Sequence, residues 1–450
     1  MHTQAIILAG GKGTRMKSDK PKVLHEICGK SMLSYVIQNA GDAGIKQIAV
    51  IVGYKAEEVK NSIVGQVSTF IQHQQLGTGH AVMQALPFID DNAYVVILCG
   101  DAPLVDSKTI QSLYEYTSSN KKDAVVVSAV LDEPCGYGRI IRDSSDKLLK
   151  IVEQKDAAEE EKKITEVNSG VYCFLGRALK YALGHIGNDN VQNEYYLTDT
   201  IELLIHEKYN IGVLEEENCD IIKAVNDKKQ LAQLEKLMRR RINDSWLEKG
   251  VTMIDPDSTY ISYDSVLYED VLLYPGVVIE GRSIIKKNCV VTSGSIIKNS
   301  IIGEDSIIQS SYITDSIVGS HVKIGPFAHL RPKSKLADYV RIGNFVEVKN
   351  SEIGQNSKSS HLTYIGDAKV GDNVNLGCGV VFVNYDGKNK ALTVVEDDCF
   401  IGCNVNLIAP VTVKKGAYVA AGSTITFDVE EDSLAIARCR QTNKENWVKK

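Results

Sequence analysis

The sequence predicts an α/β domain followed by a parallel β-helix, with one helix between them. Three observations carry this expectation. Residues 1 to about 225 alternate short apolar runs (Ala5–Leu8, Ile48–Val52, Tyr94–Leu98, Ala124–Val130) with amphipathic stretches, the pattern of a largely parallel sheet covered by helices. From residue 251 onwards, aliphatic residues recur six positions apart over most of the remaining chain. Between the two, Leu231, Leu234, Met238, Ile242 and Trp246 keep helical spacing amid charged residues. The domain boundaries expected are 1–226, a connecting helix over 227–250, and 251–450.

The period of six is the most specific of the three. Ile254, Tyr260, Val266, Leu272, Val278, Ile284, Val290, Ile296, Ile302 and Ile308 form one register. Val318, Ile324, Leu330, Leu336, Ile342 and Val348 form a second, and Val395, Ile401, Leu407, Val413, Val419 and Ile425 a third. Neither a helix nor a two-residue alternation gives that period. A coil of three short parallel strands does, each face sending one aliphatic side chain inward to stack with the next coil. Gly303, Gly319, Gly325, Gly343, Gly377 and Gly402 follow anchors, where corners must turn without a Cβ. Residues 427–450, with Trp447, read as an extension packed on the outside of the coil.

Composition narrows the function classes. The chain has 450 residues, enough for two or three domains with a large core, and a formal net charge of −6. That balance argues against a surface that coats nucleic acid. Arg239-Arg240-Arg241 lies among acidic residues and reads as a solvated helix face. No apolar run is long enough to cross a bilayer, and the opening MHTQAIILAGG does not read as a leader. The ten cysteines include no Cys-x-x-Cys pair, which favours reduced thiols over a zinc site. A cytoplasmic enzyme acting on small molecules, with no nucleic-acid or membrane partner, is the expectation.

Two constellations carry chemistry. The first begins at Leu8-Ala9-Gly10-Gly11-Lys12-Gly13-Thr14-Arg15-Met16, directly after an apolar strand. Backbone N–H groups in such a loop can close round phosphate oxygens, and Arg15 and Lys22 add two cations for a triphosphate. Asp101 lies just past a central strand, where open α/β sheets bind ligands and where a carboxylate can hold Mg²⁺. Asn226 is a candidate for a second metal ligand, or equally for a helix N-cap. The second constellation interrupts the aliphatic coil: Arg331, Lys349, His361, Tyr364, Asn375 and the inserted loop Asn384–Lys390. Breaks of this kind are where solenoids place function.

These motifs resemble a known family over nearly the whole chain. Leu-Ala-Gly-Gly-Lys-Gly-Thr-Arg-Met, Pro21-Lys22-Val23-Leu24-His25, Gln75-Leu76-Gly77-Thr78-Gly79-His80, Gly136-Tyr137-Gly138-Arg139 and Asn168-Ser169-Gly170 are similar to those of one bacterial enzyme family. Its members are bifunctional N-acetylglucosamine-1-phosphate uridyltransferases / glucosamine-1-phosphate N-acetyltransferases. The resemblance implies a Rossmann-like nucleotidyltransferase domain and a left-handed β-helix of hexapeptide repeats. It implies that Leu8, Ala9, Gly10, Gly11, Lys22, Gln72, Gly77 and Thr78 hold UTP. Gly138, Glu153, Asn168 and Asn226 would serve N-acetylglucosamine and the nucleotide, and Asp101 with Asn226 would hold Mg²⁺.

In the coil, the resemblance gives glucosamine 1-phosphate to Arg331, Lys349, Tyr364, Asn375 and Lys390, with His361 as general base. An imidazole suits that task because it can take a proton near neutral pH. Acetyl-CoA falls to Cys378, Asn384, Tyr385, Cys403, Ala421 and Arg438. A homotrimer through the β-helix is also implied. Three positions depart from the family pattern. Cys99 stands where tyrosine is common, Cys378 where alanine is, and Cys403 where serine is; the last two expose the groove to oxidation or alkylation. Two rival readings compete with this one: a single-function nucleotidyltransferase with a regulatory coil, and a non-catalytic subunit of a translation-factor exchange complex. The latter has no need to keep Arg15, Lys22, Asp101 and Asn226 together.

Overall fold

The computed structural model describes residues 2–449. The chain divides into two compact units, Met1–Met238 and Arg239–Lys450, and the division falls inside the helix Lys228–Glu248.

The first unit is built on a mixed sheet. Its strands in chain order are β1 (Thr3–Ala9), β2 (Gln47–Val52), β3 (Ser68–Ile71), β4 (Tyr94–Cys99) and β5 (Ala124–Val130). Then come β6 (Arg139–Arg142), β7 (Leu148–Val152), β8 (Glu166–Leu175) and β9 (Ile211–Glu215). They lie in the order β9-β5-β8-β4-β1-β2-β3, with the β6–β7 hairpin paired to β8. Alternate residues of the central strands feed two cores. Ile7, Val50 and Val96 join one, and Ile6, Ile51 and Ile97 the other. Burial on both faces is why these strands read as unbroken apolar runs rather than alternating ones. The expectation of a largely parallel sheet needs one correction: β8 runs antiparallel to both β4 and β5. It follows a hairpin rather than a crossover helix, and the alternation of strand and helix signals does not reveal that.

The second unit is a left-handed parallel β-helix. Its short strands stack into three sheets of 11, 10 and 9 members, all paired in parallel. The three sheets are called here the first, second and third face, in the order the chain enters them. Inward aliphatics such as Ile279, Ile285, Val291, Val348, Leu407 and Val419 are fully buried. Each contributes roughly 1.5–3 kcal/mol by leaving water.

The inward set corrects the first predicted register. From Ile254 to Ile296 the chosen residues face outward, with Ile254 58% and Tyr260 45% exposed, and their successors Ile261, Leu267, Leu273, Ile279, Ile285, Val291 and Ile297 fill the core. These coils carry aliphatic pairs, so both phases show period six. The step from Ile297 to Ile302 is one residue short, and it hands the outward phase to the inward one without breaking the spacing. The second and third registers do face inward.

The glycines after the anchors are explained by close approach of the next coil. A Cβ on Gly343 would lie 1.9 Å from the Ser360 carbonyl oxygen, and one on Gly303 2.4 Å from Gly319. Left-handed corner residues are mostly Asn and Asp instead, for example Asn288, Asp305, Asn373 and Asp398. The C-terminal expectation also changes. Leu434–Ala435 continues the first face by pairing with Tyr418–Val419, and residues 436–448 are exposed, Trp447 by 63%. Arg-Cys-Arg-Gln-Thr-Asn-Lys-Glu-Asn, residues 438–446, has almost nothing apolar to bury. In the Arg239–Arg241 run, Arg239 stacks over the Tyr260 ring at 4.5 Å, so this arginine is a packing residue rather than a solvated one.

Candidate functional site

In the α/β unit, strand ends bring the predicted residues together. Leu8 of β1 pairs with Cys99 of β4, and Ala9 with Val52 of β2, so the glycine loop and Asp101 emerge side by side. A cleft of about 300 Å³ there is lined by Leu8, Ala9, Gly10, Gly11, Lys22, Gln72, Gly77, Thr78 and Asp101. Gln75 and Ala81, which belong to the Gln75–Ala81 motif but were given no role, line it as well, and so does Glu194, which was not singled out in the sequence. One glycine of the cleft is forced by geometry and another makes room for a side chain. A Cβ on Gly10 would stand 2.8 Å from the Gln72 Oε1, and Gly77 combines a φ of +107° with the Tyr195 carbonyl oxygen at 2.5 Å. Gln72 in turn donates from Nε2 to the Gly77 carbonyl at 3.0 Å, which orients its amide in the cleft.

The cationic and oxygen groups meet at one point. Lys22 forms an ion pair with Asp101, both side chains 15% exposed, and donates to Asn226 Oδ1 at 3.3 Å. Arg15 donates to the same oxygen at 2.9 Å. Asn226 is free for this because Asp227 caps the following helix, accepting from the Gln230 amide at 2.8 Å, while Gln230 Oε1 accepts from the Asn226 amide at 2.7 Å. Two hard oxygens directed at one ammonium suit Mg²⁺, which takes few protein oxygens and fills its shell with phosphate and water. Among the described residues no cluster of three or more His, Cys, Asp or Glu could hold a metal without such help.

Gly138, Glu153 and Asn168 form a second group beside the cleft. The Asn168 amide donates to the Gly138 carbonyl at 2.9 Å, and its side chain donates to Tyr172 Oη at 2.7 Å. Burial raises the Glu153 carboxyl above its usual range, with Asp156 and Glu194 adding to the rise and the Thr198 hydroxyl, donating at 3.1 Å, opposing it. Cys99 joins the two groups, since its Sγ donates to the Gly170 carbonyl at 3.7 Å. Burial, with the nearby Asp101 charge, pushes that thiol up to about 12, so it packs as a neutral group.

The coil site is assembled by register. Asn344 pairs with His361, and Asn344 Oδ1 lies 2.6 Å from His361 Nδ1. With that oxygen accepting, the imidazole proton sits on Nδ1 and Nε2 keeps its lone pair. On the second face Arg331 precedes Lys349 by one coil, Lys349 pairs with Gly366, and Glu347 pairs with Tyr364. Arg331 donates to Glu347 Oε1 at 2.9 Å. Gly366 clears space: a Cβ there would meet the Tyr364 hydroxyl at 2.4 Å and the Asn384 amide at 2.8 Å. Asp367 accepts from Asn350 at 2.6 Å and from Asn384. Burial works against its ionised form, but those two bonds and the charges of Lys349 and Lys390 hold its carboxyl below the usual range. Asn375 lies on the first face, paired with Lys358 and Phe400.

The inserted loop holds Tyr385 and Lys390 in a β-bridge, and lengthens the coil repeat from 16, 17 or 18 residues to 25. Cys378, Cys403 and Ala421 continue the His361 corner on successive coils. Arg438 reaches Gly422 at the end of that column. Asn344, Glu347 and Asp367 were missed in the sequence. Asn344 was findable, since it stands one coil length, 17 residues, before His361.

Among the described residues no helix is long and apolar enough to cross a membrane. Residues 5–166 match the MobA-like NTP transferase domain, 261–364 the GMPPB C-terminal domain, and 392–426 the bacterial transferase hexapeptide (six repeats). The bifunctional protein GlmU of Clostridioides difficile (strain 630) is 50% identical over 450 residues, spanning 100% of this chain and 98% of that protein. Those of Geobacillus sp. (strain WCH70) and Bacillus subtilis (strain 168) are 51% and 48% identical, covering 99% of this chain and 97% and 98% of their own lengths. The chain belongs to the bifunctional GlmU family and carries its two activities, uridyltransferase and acetyltransferase.

Proposed function

We propose that residues 1–226 carry uridyl transfer, 251–450 carry acetyl transfer, and 227–250 connect them. In the coil, the Arg331, Lys349, Tyr364, Asn375 and Lys390 side chains hold glucosamine 1-phosphate, whose phosphate suits the cations. Asn384, Tyr385, Cys378, Cys403, Ala421 and Arg438 hold acetyl-CoA. His361 Nε2 takes the proton from the sugar amine as its nitrogen attacks the thioester carbonyl, and CoA leaves as the thiol.

In the α/β unit, the glycine loop, Gln72, Gly77 and Thr78 seat UTP, and Gly138, Glu153 and Asn168 seat the sugar. A phosphate oxygen of N-acetylglucosamine 1-phosphate attacks the α-phosphorus, and pyrophosphate leaves in line. Arg15 and Lys22 neutralise the charge that builds on the departing phosphates. Asp101 and Asn226 would hold Mg²⁺, which when bound adds Lewis-acid charge neutralisation at those same phosphates. The working form is a cytoplasmic homotrimer built through the coil.

The observation that carries this reading is the His361–Asn344 pair at 2.6 Å. A merely regulatory or scaffolding coil has no use for an imidazole held by a side-chain hydrogen bond at an exposed corner. The test supplies glucosamine 1-phosphate, acetyl-CoA, UTP and Mg²⁺ and follows free CoA and pyrophosphate separately. His361→Ala should abolish CoA release and spare pyrophosphate release from supplied N-acetylglucosamine 1-phosphate, and Asp101→Ala should do the reverse. Pyrophosphate release without any CoA from the unaltered protein would reduce the coil to a scaffold.

A further inference from the structure

The corner column that holds His361 runs on through two cysteines. Leu376 pairs with Ile401 on the next coil, and the Asn404 amide donates to the Cys378 carbonyl at 2.7 Å. Cys378 and Cys403 therefore occupy the same corner position one coil apart. Neighbouring strands lie about 4.8 Å apart, inside the roughly 4.4–6.8 Å that a disulfide spans between Cα atoms. The coils approach closely here, as at the other glycine corners, because Gly377 lacks a side chain: a Cβ at that position would stand 2.6 Å from the Cys403 nitrogen. Both thiols are free; Cys403 is exposed and Cys378 half-buried. Cys289 and Cys399, the other cysteines of the coil proper, are buried in its interior.

We infer that Cys378 and Cys403 form a dithiol–disulfide pair that low-molecular-weight disulfides close, stopping acetyl transfer while uridyl transfer continues. The inference rests on the acetyl-transfer reading above, which places acetyl-CoA along this column. The exposed Cys403 thiolate attacks one sulfur of the small disulfide and expels the first thiolate, which takes up the Cys403 proton. The Cys378 thiolate then attacks Cys403 Sγ and expels the second, which takes up the Cys378 proton. Two protein thiols are oxidised to one disulfide, and one small disulfide is reduced to two thiols. The bridge stands one coil from His361 and replaces two separate side chains lining the groove by a rigid link across it. Thiols restore the open form by the reverse exchange.

The experiment treats the full-length protein with glutathione disulfide, caps the remaining thiols and maps the peptides by mass spectrometry. CoA release and pyrophosphate release are measured before treatment, after it, and after dithiothreitol. A Cys378–Cys403 cross-link is expected, with loss of most CoA release, unchanged pyrophosphate release and recovery on reduction. Cys378→Ser should trap a mixed disulfide on Cys403 with no cross-link. Cys403→Ser should keep the same rate treated as untreated, each variant being compared with its own reduced form. Mixed disulfides on Cys403, Cys135 or Cys439 without the cross-link would overturn the inference, as would a full cross-link with CoA release intact. If the untreated protein released no CoA, the acetyl-transfer reading would fall, and with it the proposed switch, while the peptide map would still report whether the two thiols pair.

Discussion

The two units solve the same problem, holding a few polar groups in fixed relation, by opposite means. In the α/β unit, Lys22 meets Asn226 across 204 positions and Arg15 meets it across 211. In the coil, His361 meets Asn344 across 17. The first site depends on loops held at strand ends, with glycines admitting the close contacts. The second depends on phase, because one correct register places every residue of a column at once. A single side-chain change should therefore act locally in the first unit, whereas a backbone change in the coil should propagate along a column.

The largest effect expected is from Lys22→Met. Loss of the cation shared by Asp101 and Asn226 should lower pyrophosphate release by about 10²–10³-fold, the cost of removing one fixed charge-stabilising donor. CoA release should not change, and a parallel fall would erase the contrast between the units. Next comes Gly343→Ala. The added methyl, 1.9 Å from the Ser360 oxygen, forces adjacent coils apart at the step that carries Asn344 and His361. It should destabilise the coil by roughly 1–3 kcal/mol. The urea midpoint for loss of CoA release should drop, with that for pyrophosphate release unmoved.

Asn344→Ala is smaller and sharper. Losing one hydrogen bond of about 1–1.5 kcal/mol should slow CoA release roughly tenfold. The fall should appear in kcat with KM nearly constant.

The smallest effect concerns Asp199, whose carboxyl burial, with Glu153 and Glu202 nearby, raises to about 6 from 3.8. A carboxyl raised in the folded state makes folding less favourable once the unfolded chain ionises. The cost starts near pH 4, grows to about pH 6 and is fully present above it. Asp199→Asn should therefore stabilise the first unit at pH 7.5, by on the order of 1 kcal/mol after solvent screening. At pH 3.5 the gain should vanish, as urea titrations at the two pH values would show.

Much of this was legible in the sequence, for physical reasons that differ between the units. Period six has one structural solution, so the coil followed from spacing. The inward face did not, because Leu272-Leu273, Val278-Ile279 and Ile284-Ile285 offer two equivalent choices, whereas Lys323-Ile324 and Lys335-Leu336 offer one. The glycine loop, Lys22 and Asp101 were visible as motifs anchored to strand ends. Asn344 was hidden because its role comes from lying beside His361 on the neighbouring strand, and Glu194 because it enters the cleft from a distant loop. The antiparallel course of β8 has no local signature at all.

Those aliphatic pairs have a consequence for how the coil is built. In the coils before Ile297, a one-residue slip that turns Val266, Leu272, Val278, Ile284, Val290 and Ile296 inward still leaves hydrocarbon inside, so the early coils cannot detect an error in that direction. A slip near Lys323 or Lys335 would bury an ammonium and be rejected at once. Deleting one residue at the Lys287 corner should thus leave a folded coil by circular dichroism, and deleting one at the Lys333 corner should not. The later coils proofread the winding of the earlier ones, and the catalytic column lies where misalignment is least tolerated.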